Sequence, residues 1–120
     1  MIKPFKDIIP DNFNIAGMRY TVSHQAEQKG NTKYGLMNHP KCEVTLYGKM
    51  DDTVISHNQR VQTFWHEVVH GILENMGEIE LSGNEKFVCT FSSFLNEVMQ
   101  SAECIINQPE QQKEPWKNGE

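Results

Sequence analysis

The chain has 120 residues, of which 38% are hydrophobic and 22% charged, and its net charge is −5. That is one domain's length, too apolar for a disordered chain and too acidic to capture nucleic acid or an anionic membrane by charge. No apolar run approaches the roughly 18 residues of a membrane helix, the N-terminus has no signal-peptide core, and Cys42, Cys89 and Cys104 are too irregularly spaced for a disulfide framework. The expectation is an acidic, cytoplasmic domain with reduced thiols and a thin core.

Residues 1–11 read as an N-terminal extension. Residues 13–16 and 18–25 flank Gly17 and alternate through Phe13, Ile15, Met18, Tyr20 and Val22, which predicts a hairpin turning at the glycine. Glu27 to Lys33 is polar, contains Gly30 and Asn31, and reads as a loop. Residues 34–37 and 42–47 predict two more strands around an Asn38-His39-Pro40 turn, and the sheet is expected to end over Gly48 to Asp52. The period then changes. Val61, Phe64, Trp65, Val68, Val69, Ile72, Leu73 and Met76 recur at three and four, a largely buried helix with Ser56 and Gln59 as a capping box and Gly77 as its stop. A second helix, opening at Ser82 to Glu85, carries Phe87, Phe91, Phe94, Leu95, Val98, Met99, Ala102 and Ile105. Its phenylalanines are expected in the core. Residues 107–120 lack periodicity, contain two prolines, and read as a flexible polar tail. A sheet half followed by a helical half predicts an α+β fold: a small antiparallel sheet of three or four strands packed on two main helices.

His66-Glu67-Val68-Val69-His70 is the one sharp chemical signal, an H-E-x-x-H within the first helix. At this composition roughly 0.02 such matches arise by chance. Residues four apart on a helix lie nearly above one another, so both imidazoles reach one metal ion. Glu67, about 100° round from His66, stands beside the ligand line without joining it. It is placed to take a proton from a zinc-bound water as that water attacks a carbonyl, then to pass it to the leaving amine.

A third ligand must come from elsewhere. The metzincin continuation requires Gly at 73 and His at 76, where this chain has Leu73 and Met76. Beyond His70 there is neither histidine nor aspartate. Glu74 is one more turn along the same helix, about 6 Å of rise away, and three successive turns do not converge on one ion. Glu78 and Glu80 in the connection remain candidates, and Cys89, one turn after Glu85, is expected to pack rather than ligate. Glu85 is the preferred ligand, since an antiparallel second helix delivers its carboxylate to the histidine face. Ser82-x-x-Glu85 is equally a capping-box pattern, in which Glu85 would bind no metal. His24, His39 and His57 sit in polar surroundings and are not expected to ligate.

The run Thr63-Phe64-Trp65-His66-Glu67-Val68-Val69-His70-Gly71-Ile72-Leu73, with Asn84-Glu85-x-x-Val88 after it, resembles the short phage-encoded gluzincins, minimal zinc metallopeptidases. It is more distantly similar to thermolysin, in which an Asn-Glu pair opens the second helix and supplies the third ligand. Gly17, Tyr20, Val22, Tyr34 and Gly35 extend the resemblance upstream, so that it spans residues 12–106. It implies a zincin-like fold, Zn²⁺ held by His66, His70 and Glu85, Glu67 as the catalytic base, and a polypeptide substrate paired with a sheet edge above the metal. Two departures stand out. The thermolysin group places an aspartate behind the first histidine, where this chain has Cys89. It also uses a distal oxyanion donor, for which this chain offers only Tyr34, Tyr47, His39 or His57. The expected function is therefore a zinc metallopeptidase, weak or narrowly specific. The alternative is a zinc-stabilised module that binds a protein without cutting it.

Overall fold

In the computed structural model, residues 2–4, 8–27 and 33–105 are described. In chain order they form β1 (Ile2–Pro4), β2 (Asn12–Ile15), β3 (Met18–Glu27), β4 (Gly35–Asn38), β5 (Glu43–Met50) and β6 (Thr53–Val54). The helices α1 (His57–Asn75), α2 (Ile79–Ser82) and α3 (Glu85–Ser101) follow, then β7 (Glu103–Ile105). The fold is α+β, a small sheet packed against helices, as the sequence predicts. Most of the predicted loop, residues 28–32, and the predicted tail at 107–120 lie outside the described residues. No helix among the described residues is long and apolar enough to cross a membrane.

Ala16 and Gly17 both have positive φ, 51° and 80°, so β2 and β3 close through a two-residue turn of the kind that follows the strands' own twist. The predicted hairpin is therefore present. The sheet differs from the expectation in one pairing: its order is β2-β3-β5-β4, and β3 runs parallel to β5. β4 passes to the outer edge, and β5 returns between β3 and β4. β5 is the strand with most to bury, carrying Val44, Leu46 and Tyr47, and the middle of the sheet pairs both its edges and sets neighbouring strands' side chains on either hand. It also continues beyond the expected end. Gly48 stays in the strand, Asp51 turns the chain at φ 55°, and β6 pairs back onto β5.

Val44 and Leu46 meet Phe64 and Val68 of α1 in the main core, with Phe13, Val22 and Met37 packed around them. Phe13 stacks on Tyr20 and meets Phe64 edge-on, each pair of rings 5.5 Å apart. At Gly35 a β-carbon would stand 2.6 Å from Thr63 Cγ2 and 2.8 Å from the Thr45 carbonyl oxygen. Only glycine lets β4 lie this close to α1.

Ser56 caps α1, accepting the Gln59 N–H at 3.2 Å. The Gln59 side chain does not complete the box; it turns inward to Thr63 Oγ1. At the other end, Gly77 N–H bonds the Glu74 carbonyl and Glu78 N–H bonds that of Leu73, a Schellman closure that stops the helix where predicted.

The second helix departs from its expected bounds and burial. α3 ends at Ser101, and Cys104-Ile105 pairs as a strand with β1 instead of continuing the helix. Val88 and Leu95 pack with Val69 and Leu73 of α1, with Phe87 at the margin. Phe91 and Phe94 are exposed, contrary to their predicted core role. α3 touches α1 along a narrow strip, and Gln62 fills its other margin with bonds to Ser92, Ser93 and Asn96. No third layer covers the remaining apolar turn among the described residues.

Candidate metal centre

α1 turns His66, Glu67 and His70 toward the cleft beside β4, and the short connection through α2 sets the first turn of α3 opposite them. Asn84 is the N-cap of α3, its Oδ1 accepting the Phe87 N–H at 3.1 Å. The capping-box reading of Ser82 and Glu85 is thereby excluded. Glu85 is instead the first helical residue, and its carboxylate reaches both histidines. His66 Nε2 lies 3.4 Å from Glu85 Oε2, and His70 Nε2 lies 3.2 Å from Glu85 Oε1. One atom from each of the three falls within 4.8 Å of the others, the one such cluster of His, Cys, Asp or Glu among the described residues. Glu78, Glu80, His24, His39 and His57 are not brought to it.

The spacing suits a cation. His66 and His70 approach different oxygens of Glu85, and with one ligand atom from each residue within 4.8 Å of the others the three side chains can share one ion. Two imidazoles and a carboxylate form a donor set that divalent transition metals accept. His66 is held below its ordinary 6.5 by burial and by His70, against the opposing pull of Glu85. That favours the neutral ring, which carries the lone pair a metal needs.

Each histidine is also held from behind. Ser82 Oγ, buried in α2, lies 3.0 Å from His70 Nδ1, and Cys89 Sγ lies 3.8 Å from His66 Nδ1. Their Nε2 atoms are thus the ones aimed at Glu85. Ser82 in this role was not legible in the sequence, because it depends on a one-turn helix with no periodic signal. Cys89 occupies the position behind His66, with a weak sulfur contact in place of a carboxylate. Ser82→Ala is expected to weaken metal affinity about tenfold, measured by competition with a chromophoric chelator, with the fold unchanged by circular dichroism.

Glu67 is 8% exposed and faces β4 beside the cluster. Its carboxyl is pushed up to about 7 by burial and by the nearby Glu85 charge, against the Met37 backbone N–H that donates to it and the Lys33 charge. The cluster opens into a cleft of about 620 Å³ bordered by Tyr34, Gly35, Leu36 and Met37 on one side and by Gln59, Gln62 and Ser93 on the other. Of the four suggested oxyanion donors, Tyr34 alone borders this cleft; Tyr47 is buried in the sheet, and His39 bonds the Tyr20 hydroxyl. Comparison of the chain with protein-family models, curated proteins and solved structures finds no match, so the reading of this centre rests on its own residues.

Proposed function

We propose that the chain is a zinc-dependent metallopeptidase. The observation that carries the reading is the convergence of His66, His70 and Glu85 at ligand spacing, with Glu67 beside them at the head of an open cleft. Bound there, zinc supplies Lewis acidity and brings the ionisation of a water near neutral pH. His66, His70 and Glu85 would hold the ion, and Ser82 and Cys89 orient the imidazoles. Glu67 receives the proton of the attacking water and returns it to the departing amine nitrogen. Tyr34 is the side chain best placed to donate to the carbonyl oxygen as it gains charge. A polypeptide substrate fits because β4 is an edge strand that borders the cleft, and an extended chain can add to such an edge.

The binding-module alternative draws on one observation: His66 has only the Cys89 sulfur behind it, where a carboxylate would raise its basicity. Glu67→Gln separates the two readings. The zinc-loaded chain is incubated with a library of unstructured peptides and cleavage is read by mass spectrometry. Metallopeptidase action predicts cleavage that chelator abolishes and that Glu67→Gln lowers at least about a hundredfold, with zinc content unchanged. Absence of any cleavage by the zinc-loaded wild type would favour the binding module.

A further inference from the structure

Of the three glutamates that border the cleft, Glu74 alone has no part in the proposed reaction: Glu85 belongs to the ligand cluster and Glu67 stands beside it, while Glu74 lies outside it. Glu74 projects within about 20° of Glu67 around α1 and about 10 Å further along the axis, one turn past His70. One of its carboxylate oxygens is closed off from solvent and meets no hydrogen-bond donor among the described residues. An oxygen taken out of water without a donor is costly, the more so on a charged group. The terminal torsion of a glutamate is soft, so either oxygen can turn to a donor that arrives through the cleft. Lys33 is the one lysine or arginine on the same border among the described residues, and its charge is felt at Glu67.

Gly35 stands against Thr63 and Met37 against Gly71, so β4 runs in the same sense as α1. Glu74 therefore lies toward the Asn38 end of β4, and the opposite end of the cleft carries the neutral Gln59, Gln62 and Ser93. A distance of about 10 Å is roughly three residues of extended chain. We propose that Glu74 is a specificity-determining residue, receiving an ammonium or guanidinium group of the polypeptide within about three residues of the bond to be cut. The proposal rests on the reading of the cleft as a peptide site. Such a cation brings both the opposite charge and the N–H donors that a carboxylate accepts, whereas an acidic or apolar side chain leaves the oxygen unmet. The cation has two sources. It is a lysine or arginine side chain, or it is the N-terminal amine of a chain clipped a few residues from its start.

Peptide retention on the immobilised, zinc-loaded Glu67→Gln chain tests this without requiring cleavage. The probe is a random heptapeptide library, part of it N-acetylated, and retained peptides are sequenced by mass spectrometry. The expected result is enrichment of about tenfold or more for lysine or arginine at one position, which names a side chain, or for the free N-terminus, which names the amine. A retained peptide remade without that cation (norleucine for lysine, citrulline for arginine, or an acetylated amine) should bind about tenfold more weakly. This check needs no further substitution in the protein. Adding Glu74→Gln should abolish the enrichment, with zinc content and circular dichroism unchanged. Enrichment that survives Glu74→Gln overturns the proposal, as does retention without charge preference or no retention at all. Failure of the peptidase reading shows separately: a wild type that cuts no peptide while the enrichment holds leaves Glu74 with its ligand and removes only the catalysis.

Discussion

Zinc added to the metal-free chain is expected to raise its unfolding temperature by roughly 10–20 °C, and His70→Ala to remove the whole rise. The size follows from mass action. A ligand that binds only the folded chain, present about a thousandfold above its dissociation constant, stabilises by about 4 kcal/mol. The unfolded chain holds two of the ligands a turn apart in sequence but not the third, since Glu85 comes into place only when α3 closes on α1. His70→Ala leaves one imidazole and one carboxylate, too few to hold the ion, and Glu85→Ala should behave alike. Differential scanning calorimetry with and without chelator reads the effect. A zinc-dependent rise that survives His70→Ala would place the binding elsewhere in the chain.

The second large effect concerns Glu67 without metal. Its carboxyl moves from 4.5 to about 7 on folding, mainly through burial and then through Glu85. Below pH 4.5 it is protonated in both states and its contribution to stability is complete. Between 4.5 and about 7 the unfolded chain gives up a proton that the folded chain keeps, so stability falls as pH rises, then levels off. A shift of this size is worth about 3 kcal/mol. His66, held below 6.5, works in the opposite direction over its own window, so the comparison is made between the wild type and Glu67→Gln. Urea titrations in chelator should find the two similar near pH 4.5 and the Gln variant more stable by about 3 kcal/mol at pH 8. Equal pH profiles would show that the carboxyl is not buried as described.

How much of this was legible depends on the range of the determining forces. H-E-x-x-H spacing, the Ser56 cap, the Gly77 stop and the Gly17 turn are local, and each was present in the sequence as a pattern over a few residues. Glu85, and not Glu78 or Glu80, is the carboxylate that stands beside the two histidines, although from spacing alone the capping box was an equal claimant to it. Asn84 decided it, because its side chain takes the cap and leaves both Ser82 and Glu85 free for the histidines. The parallel β3–β5 pairing and the exposure of Phe91 and Phe94 were not legible. Strand order is set by which strand gains most from the middle of the sheet, and helix burial by whether another layer exists to receive it. A periodic pattern reports an apolar face but not what covers that face.

Ile2–Pro4 and Glu103–Ile105 form a separate two-stranded ribbon that joins residues about a hundred positions apart. So distant a closure is entropically expensive to form, and a ribbon of three residue pairs has little with which to offset that cost. It is consequently expected to form last and to open first, which hydrogen exchange at its amides would read. The sheet and the helix pair that frame the cleft lie wholly inside the loop it closes, so their hydrogen bonds persist when the ribbon parts.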